Sequence, residues 1–388
     1  MKQPQKLKVA LLAYRDDWHS GGSLRVAHLL AEHLAKDAVE VHLVFAYGPP
    51  GPVSRQSSVP VHHLNSTSSR DWRSYTKVRR WFREMNFDVL HFIDAIHWLL
   101  FITVGLRSKR LLHFHGTPDP ATMSRPNQLL GVSKRWLANA GIAITHGAKK
   151  GVARIGWMSP QQLHVIQNGV SVEYFAQLPT QSEARKQLGI PLDVNVMGAV
   201  ARFNDGCGLM EVFDILQHLP EDWHVLLVGD GRIKPDLERR AAELKVSHRL
   251  HLPGMMDDVR PAYAAMDAVV MLARYQSFCL MLAEAMLARR PIVGLQGAGE
   301  YTEHQYPLIT AENAKLIPRE KPWDAFSQEP VESYRQVAYW LEQLVNDHSS
   351  LETQVETANA WVQTRFTTTR QAEQCLALYQ ALMGKATA

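Results

Sequence analysis

"LKVALLAYRDDWHSGGSLRVAHLLAEHLAKDAVEVHLVFA", Leu7–Ala46, decides the fold. Leu7–Tyr14 is a short, almost wholly apolar run, the pattern of a buried strand. Gly21-Gly22 then marks a turn, and the sixteen-residue stretch to Lys36 spaces its apolar residues at three to four, the period of an amphipathic helix. Val39–Ala46 is apolar again. Strand, glycine turn, helix and strand make one unit of a parallel sheet. "DVLHFI", "RLLHFHG" and "IAITHG" continue the alternation, with helical stretches between. After a polar stretch, Ala176–Asp193, the pattern restarts with "VNVMGAVAR", "WHVLLVGDG", "RLHLPG", "AVVMLA" and "PIVGLQG" as strands. The reading is α/β, with two doubly wound, Rossmann-like domains. Residues 1–175 form the first, 176–193 a linker and 194–359 the second. The closing "WVQTRFTTTRQAEQCLALYQALM" is expected to be one amphipathic helix that returns, from about 360 to 388, to the first domain. In such folds ligands sit at the carboxyl ends of the strands, here expected in a cleft between the domains.

The chain has 388 residues, too many for one typical domain, and is 46% hydrophobic and 21% charged, ordinary for a globular protein. Three widely spaced cysteines, Cys207, Cys279 and Cys375, make neither a disulfide framework nor a zinc site and suggest a reducing compartment. The first residues are too short in apolar content for a signal peptide, and Trp98–Leu106, the longest apolar run, is half a membrane span. A cytoplasmic protein is expected. Residues 1–175 hold 22 Lys and Arg against 11 Asp and Glu, whereas residues 176–388 hold 20 against 27. The basic half is suited to an anionic surface. Within it, Arg70–Met85 reads as a helix with six basic and two acidic residues, and Trp72, Tyr75, Val78, Trp81, Phe82 and Met85 fall on one side. Such a helix either lies on an anionic membrane or packs its aromatic face on the sheet. No recognition motif accompanies the charge, so nucleic acid is not an expected partner.

Chemistry concentrates in "RYQSFCLMLAEAMLARR", Arg274–Arg290. It reads as a loop opening into a helix at Ser277, whose hydroxyl can cap the first turn. A helix start favours an anion, and Glu284, about two turns in, can hold a sugar hydroxyl. Gly21 and Gly22 let backbone approach a ligand at another helix start. Neither this turn nor "GDGRIK", Gly229–Lys234, is a GxGxxG dinucleotide fingerprint. Asp16-Asp17 and Asp257-Asp258 are acidic pairs without further ligands, so no metal site is expected.

Taken in order, six stretches resemble the family-4 retaining glycosyltransferases of the GT-B fold. They are "GGSLRVAHLLAEHLA", "VIQNGVSVEYF", "VARFNDGCGL", "LLVGDGRIKPDLERRAAEL", "LHLPGMMDDVRPAYAAMDAVV" and "RYQSFCLMLAEAM". The resemblance covers nearly the whole chain. It implies metal-independent, anomer-retaining transfer of a hexose-type sugar from a UDP- or GDP-sugar, with no further cofactor. The acceptor would be a saccharide or a lipid-linked molecule of cell-surface glycan biosynthesis, met at the inner membrane face. It also implies that Arg202 contacts the donor diphosphate, that Gly254, Met255 and Met256 meet the base, and that Phe278, Cys279 and Leu280 offer amides to the phosphates. Glu284 would hold the ribose and His115 would face the reacting sugar. His113, two residues earlier on the same strand face, would lie deeper as a core histidine. Asn168-Gly169 matches the inter-domain loop and reads as structural.

Two positions depart from the pattern. The family's signature is Glu, seven residues, then Glu, but here the first is Gln276. The phosphate lysine five residues after the arginine is Cys207. One negative and one positive charge are therefore missing from one site, with Arg274, Lys149 and Lys150 as substitute cations. An altered donor geometry, a slow enzyme, and a pseudoenzyme that binds a nucleotide sugar without transfer all stay open. A sugar epimerase of the same fold would need acid and base groups that the sequence does not supply.

Overall fold

The computed structural model describes residues 6–17, 21–35, 39–69, 71–94, 96–116, 123–273, 278–296, 308–318, 330–346 and 348–384. It divides into two compact units, Met1–Val170 with Thr367–Ala388, and Ser171–Phe366.

The first unit is built on seven strands: β1 (Leu7–Arg15), β2 (Val39–Tyr47), β3 (Val61–Ser66), β4 (Val89–Phe92), β5 (Lys109–Phe114), β6 (Ala140–Ala143) and β7 (Leu163–Val165). All pair in parallel, in the order β3-β2-β1-β4-β5-β6-β7. Helices cover both faces, so the central strands are apolar almost throughout rather than alternating. In β1, Val9, Leu11 and Ala13 enter the core shared with the helix Gly22–Leu34, while Ala10 and Leu12 enter the core on the opposite face. The period-2 geometry of a strand thus feeds two cores from one run.

The basic stretch is the helix Trp72–Met85. Val78 and Phe82 are buried, Trp81 packs edge-on to Phe82 and Tyr75 stacks on Trp98. Most of its aromatic face therefore packs on its own unit. Trp72 is the exception, 68% exposed and beside Arg73.

The second unit has six parallel strands: β8 (Asn195–Val200), β9 (Trp223–Val228), β10 (Leu250–Gly254), β11 (Ala268–Met271), β12 (Ile292–Gln296) and β13 (Lys315–Pro318). Their order is β10-β9-β8-β11-β12-β13. Both units are thus doubly wound. The sheet order reverses between β1 and β4 in one unit and between β8 and β11 in the other.

Three boundaries differ from the sequence reading. The expected linker 176–193 holds a helix, Gln181–Leu188, that belongs to the second unit. It starts on a reciprocal Thr180–Glu183 capping box and ends at Gly189, whose φ of 67° suits glycine. Its Arg185 is buried, donating to the Ala265 carbonyl at 3.1 Å and to Asp267 at 2.7 Å. The polarity that suggested a linker is that of a helix held by one arginine. Next, the closing helix is two helices, His348–Arg365 and Thr368–Leu382, because Thr367 breaks the first and caps the second. The units accordingly change over at 170/171 and 366/367, not at 175 and about 360. Finally, Asn168-Gly169 sits where the return pass meets the first. Thr368 N donates to the Val170 carbonyl, Gly169 N donates to Gln371 Oε1 at 3.0 Å, and a Cβ on Gly169 would lie 2.4 Å from Thr368 Cα. Only glycine allows that approach.

Candidate active site

In the first unit the loops after β1 and β4 flank the reversal point. Asp16, buried just past β1, accepts from the amides of Gly51, Val53 and Ser54 at 2.7, 2.8 and 3.0 Å. It holds the start of the Pro52–Gln56 helix, which explains the carboxylate without a metal. Gly21 precedes the helix Gly22–Leu34 with φ 95°, a conformation that favours glycine. After β4, Asp94 accepts from Tyr14 N at 2.9 Å, tying this loop to the end of β1.

His115 follows β5. Its ring stacks on His113, with centroids 4.3 Å apart and planes 19° apart. Burial lowers its basicity, which Asp94 and a bond to the Ile93 backbone raise in part. His113 is 4% exposed and His91, on β4, fully buried. His91 Nε2 lies 3.2 Å from His113 Nδ1, and His91 Nδ1 lies 2.7 Å from the Tyr379 hydroxyl. Burial drives His91 down to about 3 and His113 well below its usual range, so both rings are neutral near pH 7. The sequence set His113 deeper in the sheet than His115 but gave no hint of His91 or Tyr379 as its partners, because 288 residues separate those two.

In the second unit the ends of β8, β9 and β11 are drawn together by glycines. A Cβ on Gly229 would meet the Ala201 carbonyl at 1.9 Å, on Gly231 the Phe203 carbonyl at 2.3 Å, and on Gly208 the Leu272 carbonyl at 2.1 Å. This close packing holds the chain just past β8, where Arg202 is exposed. Gly254 ends β10 with φ 84°, its carbonyl accepting from Gly229 N at 2.9 Å. Met255 beyond it is 41% exposed and Met256 half-buried. Asp258 is engaged by Arg260 and by the Tyr174 hydroxyl at 2.6 Å, which hold its carboxyl at about 2 against the opposing effect of burial.

The helix carrying Glu284 runs Leu280–Leu287, so its N-cap is Cys279, two residues later than the Ser277 the sequence suggested, and it has no side-chain cap. Ser277, Gln276 and Arg274 lie outside the described residues. Phe278 is buried against Phe366. Burial drives the Cys279 thiol up to about 12, and Cys207 and Glu284 are close enough to add to that. Burial likewise raises the Cys207 thiol, opposed by its bond to the Asn204 backbone and by the Arg202 charge. Arg202, Cys207, Cys279 and Glu284 therefore form one neighbourhood. Cys207 supplies no cation to it. Glu284 is buried, and its Oε2 accepts from the Tyr263 hydroxyl at 2.7 Å. The sequence missed Tyr263, which supplies the partner that a buried carboxylate requires.

Together these residues place an exposed guanidinium and a helix start at one reversal point, the general location of anionic ligands in open α/β sheets. Among the described residues no group of three or more His, Cys, Asp or Glu is arranged to hold a metal, and no helix is long and apolar enough to cross a membrane.

Comparison with known proteins agrees with this architecture. Residues 20–174 match the family model described as Glycosyltransferase Family 4, and residues 194–332 match that of Glycosyl transferases group 1. A lipopolysaccharide core biosynthesis glycosyltransferase, LpsE, of Rhizobium meliloti is 27% identical over 173 residues, 45% of this chain and 47% of the relative. The match thus spans about half the length of that relative. The N-acetyl-alpha-D-glucosaminyl L-malate synthase of Bacillus anthracis is 24% identical over 317 residues, 76% of this chain and 80% of the relative. Among solved structures, Anabaena HepE in complex with UDP and glucose superposes with a TM-score of 0.81 at 18% identity, covering 97% of this chain and all of that one. With two doubly wound parallel sheets, and with both family models matched in chain order over most of its length, the chain belongs to the family-4 glycosyltransferases of the GT-B fold.

Proposed function

We propose that the protein transfers a hexose-type sugar from a nucleoside diphosphate sugar, with retention at the anomeric carbon, to a saccharide or lipid-linked acceptor of glycan biosynthesis. One observation carries the reading: Arg202 after β8 and Phe278–Glu284 after β11 flank the reversal point of the second sheet. There Arg202 would hold the diphosphate through two parallel N–H bonds, and the start of the helix Leu280–Leu287 would add its partial positive charge. These groups would stabilise the departing diphosphate without a metal. Glu284, held by Tyr263, keeps acceptor capacity for the ribose hydroxyls, since a carboxylate accepts at about four positions. Gly254, Met255 and Met256 would border the base, with Gln276 and Ser277 on the sugar and phosphate. The family resemblance assigns Gly21, Gly22 and His115 of the first unit to sugar binding. Support for glycan assembly comes from the Rhizobium relative, whose name assigns it to lipopolysaccharide core biosynthesis.

Incubating the purified protein with UDP- and GDP-sugars and a cell lipid extract tests this. Nucleotide release with a new glycosylated product is expected. Nucleotide binding with no product from any combination would favour the reading as a binding protein.

We further infer an anionic membrane as the surface on which the acceptor is met. Arg73, Lys77, Arg80 and Arg83 lie exposed on the helix Trp72–Met85, beside the outward Trp72. Flotation with vesicles containing phosphatidylglycerol, and not with phosphatidylcholine alone, is the expected result. Equal flotation with both, or with neither, refutes it.

A further inference from the structure

The buried histidines of the first unit form a chain with a direction. Cys375 and Tyr379 are hydrogen-bonded neighbours on the helix Thr368–Leu382. The Tyr379 hydroxyl meets His91 Nδ1 at 2.7 Å, and His91 Nε2 meets His113 Nδ1 at 3.2 Å. His113 Nε2 is buried with no hydrogen-bond partner among the described residues, and so is His115 Nε2. With Nε2 unpartnered, Nδ1 is the nitrogen left to face the Ile93 backbone, and we assign the His115 proton to it. His115 Nε2 is left with a lone pair and no proton.

A neutral imidazole carries one proton, so the chain runs in one of two senses. In one, Tyr379 donates to His91 Nδ1, His91 Nε2–H donates to His113 Nδ1, and His113 carries its proton on Nε2. In the other, every bond reverses and the Tyr379 proton turns to the Cys375 sulfur. A thiol sulfur is a weak acceptor, whereas an imidazole nitrogen at 2.7 Å from a phenol is a good one. The first sense is the stable one. Asp94 is the acidic group facing this set, and it acts on His115 at the end of the chain.

We propose that Tyr379 fixes, through His91, the proton position on His113, so that the stacked pair His113 and His115 presents one N–H donor and one lone-pair acceptor to a sugar hydroxyl. A hydroxyl both donates and accepts, so it satisfies both orphaned nitrogens, which a carbonyl or an ammonium group cannot do. Tyr379 and His91 are positioning residues. The inference rests on the reading of His115 as facing the sugar.

Histidine-selective 15N labelling, read by long-range 1H–15N correlation, tests it directly. In the unliganded full-length protein, His91 and His113 should carry the proton on Nε2 and His115 on Nδ1. A wild-type His113 protonated on Nδ1 overturns the proposal whatever any variant does. In Tyr379→Phe the His113 resonances should move toward the other tautomer, and turnover should fall on the order of tenfold with little change in donor KM, about the effect of one hydrogen bond. An unchanged His113 tautomer in that variant also overturns it. Addition of UDP-glucose should shift both Nε2 resonances, and UDP alone should not. Transfer activity without those shifts removes the pair as a sugar site. The shifts without transfer keep the pair and remove the reading as a transferase.

Discussion

Acid should loosen the first unit well before carboxylates are protonated, and His91 gives the size of the effect. The ring is fully buried, and burial lowers it from 6.5 to about 3. In the unfolded chain it takes up a proton below pH 6.5, while in the folded chain it stays neutral down to about 3. The unfolded state thus binds more protons throughout that window, and stability falls as pH falls through it. Each pH unit costs about 1.4 kcal/mol per proton, so His91 alone removes about 2 kcal/mol between pH 6.5 and 5. His113 is shifted in the same direction and steepens the decline. The perturbation is His91→Gln, which is neutral at every pH and keeps an amide to bond Tyr379. Hydrogen exchange on peptides spanning β4 and β5, corrected for intrinsic rates, reads the local opening free energy. Wild type should lose about 2 kcal/mol more than the variant between pH 6.5 and 5. Equal slopes, or a wild-type profile that is flat over this range, would refute the claim that the ring is held neutral by burial.

Four further outcomes follow from named contacts. Arg202→Ala should weaken UDP binding by roughly 10- to 100-fold in titration calorimetry, the loss of a charge-assisted pair worth about 1.5–3 kcal/mol, with folding unchanged because the side chain is exposed. Cys207→Lys should tighten UDP binding severalfold by returning a cation beside Arg202, and a weaker affinity would show that the position does not face phosphate. Tyr263→Phe leaves the buried Glu284 short of a donor and should cost about 1–3 kcal/mol of stability by urea unfolding. Gly169→Ala drives a methyl into the Thr368 backbone and should destabilise the first unit by about 1–3 kcal/mol, whereas Gly116→Ala, with open space around it and no left-handed backbone, should cost less.

The sequence by itself determined the two parallel sheets. Runs such as Leu7–Tyr14 and Trp223–Val228 must be covered on both faces, and local periodicity is enough to show that. It also placed Arg202 and His115 just past strand ends and Glu284 on a helix, because local periodicity marks where strands and helices begin and end. Tertiary structure alone decided what those residues touch. Arg185 turned an apparent linker into a packed helix, since its contacts with distant chain outweighed local polarity. Tyr263 reached Glu284, Asp16 was taken by three amides, and Tyr379 reached His91 across nearly three hundred residues. Partners of buried polar groups are chosen by the need to satisfy them in a dry interior, wherever in the chain a donor lies.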